Sequence, residues 1–182
     1  MGQAPHTGST MFLHLPPQPA PQPQLVTRPE VRYIGIESTE TTETIGTVFP
    51  RLMPKLGAFL VGKKLHPAGA PFIQYVYVQM PKLKVILGMP VKEGVRGDRS
   101  VFGAVLPAGR YAELTYFGPF SGLEQANADL QTWCLKRHLK FKMRSGKQGP
   151  EFAARIESYQ TDPAKEHDPS RWRTDLYYLL DR

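Results

Sequence analysis

The apolar positions of this chain change period along its length, and the changes come in the same order twice. Residues 31–37 read as a strand, followed by a Ser/Thr/Glu turn. Ile45, Val48, Phe49, Leu52, Met53, Leu56, Phe59 and Leu60 then recur at the spacing of one helical face,. Pro50 and Pro54 lie inside that run; proline lacks the N–H and crowds the preceding turn, so a late start or a kink is expected there,. Two strand patterns follow, over 72–80 and 83–91, joined across Pro81-Lys82,. The second half opens at the turn Pro107-Ala108-Gly109, which launches a strand over 110–117. Ser121 and Glu124 have the spacing of a capping box ahead of a helix over Leu123, Ala126, Leu130, Trp133 and Leu139,. Strands over 152–160 and 174–180 close the unit, with Asp-Pro punctuation in the loop between them,. Strand, helix, strand, strand, twice over, predicts an α+β domain with helices packed on an antiparallel sheet.

Glu157 is the position that breaks the apolar pattern of the 152–160 strand. Alternation puts Phe152, Ala154, Ile156 and Ser158 on one side and Arg155, Glu157 and Tyr159 on the other,. On 110–117, Ala112, Leu114 and Tyr116 are separated from Tyr111, Glu113, Thr115 and Phe117, and on 72–80, Tyr75 and Tyr77 share a side,. The pattern reads as one small-aliphatic face for the helices and one face of tyrosine, phenylalanine and carboxylate. Two readings of the second face stand side by side. The aromatics either pack as a second layer with Glu113 and Glu157 exposed, or they line a concavity for a small molecule. In the pocket reading, tyrosine faces attract cations, and a carboxylate at the base pairs with a cationic ligand or acts as a base.

Composition narrows the field. The 182 residues suffice for one domain with a real core,. The first 24 residues, rich in Pro and Gln, cannot bury a core and are expected to be a flexible tail; Pro16 and Pro19 form a PxxP match within it,. The domain is expected over 25–182. No apolar run is long enough for a membrane helix, and the N-terminal region lacks the pattern of a secretory signal,. The lone Cys134 excludes an intramolecular disulfide and suits a cytoplasmic setting; beside Trp133 it reads as a core residue,. The formal charge of +7 is concentrated in the segment KRHLKFKMRSGK, which reads either as a phosphate-binding patch or as a helix C-terminus with a solvated loop,. His6, His14, His66, His138 and His167 show no metal-ligand spacing, and no nucleotide-binding loop is present, so neither metal nor cofactor is expected,.

Four segments carry a family resemblance: LPAGRYA at 106–112, GPFSGL at 118–123, IESY at 156–159 with Thr161-Asp162-Pro163, and RWRTDLY at 171–177. With these the chain resembles the GyrI-like small-molecule-binding domains, the effector-binding domains of multidrug-responsive transcription activators. The resemblance implies two βαββ repeats related by a pseudo-twofold axis, with a ligand cleft between them. It places Glu157 in the cleft with Tyr159 beside it, and Tyr111 at the aromatic position of its strand. Strand parity and aromatic character add Tyr75, Tyr77, Phe117, Trp133 and Tyr177 as ligand-binding candidates, and Glu113 as a second carboxylate for catalysis.

Within these 182 residues there is no room for the DNA-binding domain to which several members are fused, so no direct nucleic-acid contact is expected. The resemblance then implies a standalone binder of bulky aromatic, often cationic compounds, with a role in drug or toxin resistance. Two alternatives follow from the same resemblance. One is a hydrolase that opens the cyclopropane ring of genotoxic natural products, using Glu157 to activate water with Glu113 or a tyrosine assisting. The other is a protein-binding inhibitor of DNA gyrase.

Overall fold

The structure, a computed structural model, describes residues 22–181. Most of the expected tail, including the PxxP match, lies outside the described residues, and Gln24 already belongs to the first strand. The elements are β1 (Gln24–Arg28), β2 (Val31–Thr41), α1 (Val48–Gly62), β3 (Phe72–Gln79), β4 (Lys82–Pro90), β5 (Phe102–Leu106), β6 (Gly109–Phe117), α2 (Leu123–Lys136), β7 (Met143–Gly146), β8 (Gly149–Phe152), β9 (Arg155–Tyr159) and β10 (Arg173–Leu179). The expected strand, helix, strand, strand order is met by β2-α1-β3-β4 and again by β6-α2-β9-β10.

The antiparallel sheet runs β1-β6-β10-β9-β3-β4-β2-β5, and β7 and β8 form a separate hairpin. The two repeats meet where β9 pairs with β3, through Phe72 with Ser158, Ile73 with Glu157 and Gln74 with Ile156. An approximate twofold through the Ile73–Glu157 pair relates positions equally far along each strand, so Tyr75 corresponds to Tyr159. The outermost strands cross between repeats: β1 precedes the first repeat but pairs with β6, and β5 precedes the second but pairs with β2. Only Pro29 and Glu30 join β1 to β2, and only Pro107 and Ala108 join β5 to β6. Links of that length reach only about 10 Å, so the sheet has to curl until its edges approach.

The curl creates three cores. On the helix-bearing face, Ile34, Ile36, Ile73, Val85 and Leu87 pack on Val48, Leu52 and Leu56 of α1. On the same face of the other repeat, Ala112, Leu114, Leu176 and Tyr178 pack on Leu123, Ala126, Leu130 and Cys134 of α2. The opposite face is enclosed by the curl and filled by Tyr33, Phe72, Ile86, Leu106, Tyr111, Ile156 and Tyr177. Gly88 is required there, because a Cβ at this position would lie 2.2 Å from the Phe72 ring.

Three local expectations are corrected. The 152–160 strand is broken: β8 ends at Phe152 and β9 starts at Arg155, because the chain leaves the β7–β8 hairpin and enters the main sheet across Ala153 and Ala154. The capping box does not form. A 3-10 turn over Phe120–Gly122 leads into α2, whose N-cap is Gly122 without a side-chain bond. Strands β1 and β5 were not anticipated, being five-residue edge strands with mixed exposure. The helical run does start late, at Val48 after a 3-10 turn over Ile45–Thr47; Pro50 falls in the first turn, where no helical bond is lost, and Pro54 lies inside α1,. No described helix is long and apolar enough to cross a membrane.

Candidate functional site

Glu157 lies on the helix-bearing face of β9, at the seam between the repeats, and is only 4% exposed. Its position follows from alternation: Ile156 points into the core enclosed by the curl, so Glu157 must face the helices,. Both carboxylate oxygens are used. Oε2 accepts the hydroxyls of Tyr159 at 2.8 Å and Tyr75 at 3.1 Å, the symmetry-related residues of β9 and β3. Oε1 accepts from Nδ2 of Asn127 on α2 at 2.7 Å. Asn127 is held in turn: its Nδ2 also donates to the Leu123 carbonyl at 2.8 Å, and its Oδ1 accepts the hydroxyl of Tyr178. Gln131 extends the chain with a 3.4 Å bond to the Tyr178 hydroxyl.

All three donors to Glu157 are neutral, and no cation among the described residues forms an ion pair with it. Burial raises its carboxyl above the usual glutamate value, against the lowering effect of the Tyr159, Asn127 and Tyr75 hydrogen bonds and of the nearby Arg155 charge. Burial and the Glu157 charge hold the hydroxyls of Tyr75 and Tyr159 well above the ordinary tyrosine range, so both remain donors. Tyr178 is pushed up to about 12, mainly by burial.

Aromatic rings close the site. Phe49 of α1 meets Tyr159 edge-on at 5.2 Å between ring centres, and Phe120, in the turn before α2, meets the same ring at 5.5 Å. Trp172 lies 4.8 Å from Phe120. The turn carrying Phe120 starts at Gly118, whose φ of +148° suits glycine,. It rests on Tyr116, which donates to the Pro119 carbonyl.

Of the nine candidate residues, the structure brings together Glu157, Tyr159 and Tyr75. Glu113 and Tyr111 occupy the opposite face of the sheet. Glu113 is ion-paired with Arg28, and Tyr111 donates to the Pro107 carbonyl at 2.6 Å and packs on Tyr177. The Glu113–Glu157 pair therefore does not exist. Tyr177 is on that face as well, beneath the Arg28 guanidinium at 4.0 Å. Tyr77 is displaced by a register irregularity between Tyr75 and Tyr77. The irregularity inverts the alternation, so Tyr77 opposes Lys84 and donates to Gln79, away from Glu157,. Phe117 alternates to the other side of β6 from Leu114 and is half-exposed. Trp133 is on α2 but lies under Arg137, 4.2 Å from ring centre to guanidinium.

Asn127, Tyr178, Phe49, Phe120 and Trp172 were not anticipated. Asn127 carried a readable signal, as the polar member of the otherwise apolar stripe Leu123, Ala126, Leu130 and Cys134. A separate concavity of about 580 Å³, lined by residues including Glu40, Arg51, Tyr77, Lys82 and Lys84, does not reach Glu157. Among the described residues no group of three or more His, Cys, Asp or Glu is placed to hold a metal ion. Cys134 is buried, and burial pushes its thiol up to about 11, as a core position dictates.

No protein-family model matches the sequence, and no curated protein matches it. Solved structures do match in shape. The C-terminal domain of EcmrR superposes with a TM-score of 0.73 at 16% identity, over 89% of this chain and 98% of that domain. The match is to 58% of the EcmrR chain in its DNA complex. SAV2435 bound to tetraphenylphosphonium gives 0.56 at 13% identity, over 88% of this chain and 94% of that one. A hydrolase from Listeria innocua gives 0.56 at 12% identity, over 90% and 93%. The curled antiparallel sheet, the paired helices and these likenesses together show that the chain has the GyrI-like fold.

Proposed function

We propose that this protein binds bulky aromatic small molecules, cationic ones among them, between its two helices, with Glu157 as the charge partner. The observation that carries this reading is a buried carboxylate whose donors among the described residues are all neutral, one of them the hydroxyl of Tyr159, whose ring is packed by Phe49 and Phe120. A carboxylate removed from water without a cation in direct contact is costly, and a ligand cation brought against it offsets that cost. The surrounding rings supply apolar area and negatively charged faces suited to flat or bulky organic cations. Binding requires the Phe49, Tyr159 and Phe120 rings to part, and the Phe120 turn, 40% exposed at that side chain, is the segment with least to lose by moving. The likeness to a protein solved with tetraphenylphosphonium supports the choice of ligand class. Such binding suits a role in drug or toxin resistance.

Calorimetric titration of tetraphenylphosphonium into the wild-type protein and Glu157→Gln tests the reading. Loss of the charge partner should weaken binding roughly 30-fold or more, the lower end of what truncating a buried charged contact costs. Equal affinity in the two proteins removes Glu157 from the site.

A second reading, hydrolysis of a strained ring, draws on the same raised carboxyl, which is a stronger base than an exposed glutamate once ionised,. It would rely on Glu157 with the Tyr75 and Tyr159 hydroxyls, since Glu113 is on the other face. Mass analysis of a cyclopropane-bearing compound recovered after incubation separates the two: an unchanged mass means binding, and a gain of one water means turnover.

A further inference from the structure

Arg155 is two residues before Glu157 on the same face of β9, yet it forms no ion pair with it. Its guanidinium instead lies within a cage of three rings, 5.1 Å from the centre of Tyr178 and 5.3 Å from those of Tyr75 and Phe152. Two of these rings belong to the Glu157 network: Tyr75 donates to Glu157, and Tyr178 donates to Asn127. The Nε–H of Arg155 is buried and has no hydrogen-bond partner among the described residues. A buried guanidinium donor left unsatisfied is unusual, and in a partly closed site it marks where a ligand acceptor can dock.

We infer that Arg155 is the residue that sets charge selectivity: a resident cation in the aromatic cage beside Glu157, it disfavours purely cationic ligands and favours aromatic ligands that carry an acceptor or anionic group. This deepens the ligand-binding reading above and rests on it. Two features support it beyond proximity. The cage rings already present their faces to a cation, so an incoming cation finds that subsite occupied and meets like-charge repulsion,. The Arg155 charge also reaches Glu157, where it opposes the effect of burial on the carboxyl. The preferred ligand presents its cationic or polar group to Glu157 and an acceptor to the Arg155 Nε–H.

Tetraphenylphosphonium and tetraphenylborate have nearly the same shape and opposite charge, so the ratio of their affinities reads charge selectivity with shape held constant. Both would be titrated into wild-type protein, Arg155→Ala and Arg155→Gln, the last keeping most of the side-chain volume should the alanine variant fail to fold. Arg155→Lys retains the charge without the planar guanidinium. Removing the charge should shift the ratio toward the cation by about tenfold or more, as expected for like charges a few ångströms apart in a partly desolvated site. Arg155→Lys should keep the ratio near the wild-type value. A ratio that does not move in a folded neutral variant overturns the inference while leaving the ligand-binding reading intact if wild type binds either probe. Failure of both probes in wild type and in the neutral variants overturns both.

Discussion

Glu157→Gln should change how the stability of this protein depends on pH. In the folded state burial keeps the Glu157 carboxyl protonated to a higher pH than the 4.5 of a free glutamate, despite its hydrogen bonds from Tyr159, Asn127 and Tyr75. Between those two values the native state holds a proton that the unfolded chain has released. Stability therefore falls as pH rises through this window, and is level below and above it. The fall is at most about 1.4 kcal/mol for each pH unit. Glutamine cannot titrate, so the variant lacks this fall.

The variant also has a direct cost that the geometry defines. Oε2 accepts two tyrosine hydroxyls, and Oε1 accepts the Asn127 amide. A glutamine carbonyl placed at Oε2 turns its amide onto that of Asn127; reversed, it leaves both tyrosine hydroxyls without their acceptor. A protonated Glu157 fits better, because its O–H can point to a tyrosine oxygen while the other oxygen keeps Asn127. The variant should thus be less stable at acid pH, by about 1–3 kcal/mol for the stranded donor. That gap should close as the wild type loses stability at higher pH. Urea denaturation of both proteins from about pH 4 to about pH 8, a range that includes the start of the window, measures it. Glu40, Asp98 and Asp168, whose carboxyls are held below their ordinary values, respond in the opposite sense at lower pH and are common to both proteins. A constant gap across the range would refute the assignment of a raised, proton-holding carboxyl to Glu157.

The remaining predictions concern the neighbours of that carboxyl. Tyr159→Phe and Tyr75→Phe each remove a donor to the carboxylate, at 2.8 and 3.1 Å, so each should move the pH-dependent fall to higher pH, Tyr159→Phe the further; a move to lower pH would contradict the network. Glu113→Gln should leave ligand affinity unchanged, because Glu113 faces the other side of the sheet; its ion pair with Arg28 is partly exposed, so the stability cost should stay under about 1 kcal/mol by denaturation,. Leu130→Ala, on the buried side of α2 with 0% exposure, should cost about 2–5 kcal/mol while preserving the selectivity between tetraphenylphosphonium and tetraphenylborate,.

Much of this molecule was legible from its periods. The helical stripe of α1 and the repeated strand, helix, strand, strand order needed only apolar spacing, and Glu157 and Tyr159 were correctly put on one side of one strand. Alternation says which residues within a strand share a face, but not which face of the next strand joins it in space. The aliphatic residues Ala112 and Leu114 marked the helix side of β6 correctly, yet Glu157 belongs to that same side, which separates it from Glu113 and Tyr111. Tyr77 was lost to a register irregularity that no spacing reveals, because one added residue inverts the alternation after it,. Phe49, Phe120 and Trp172 come from three segments distant in sequence, and strand pairing gathers them: Phe117 of β6 opposes Arg173 of β10 beside Phe120 and Trp172, while Phe49 and Phe120 both meet Tyr159 of β9.

The most direct test of the account is the affinity of wild-type protein for tetraphenylphosphonium as a function of pH. This probe keeps its charge at every pH, so any change reports on the protein. If Glu157 is the charge partner, its proton must leave for the cation to bind well, and affinity should rise by up to about tenfold per pH unit through the titration of Glu157 and then level off. Arg155 lowers the affinity as a whole without removing this dependence, and Glu157→Gln abolishes it. An affinity that does not change with pH, or one that rises equally in Glu157→Gln, would contradict the claim that this buried carboxylate is what the ligand meets.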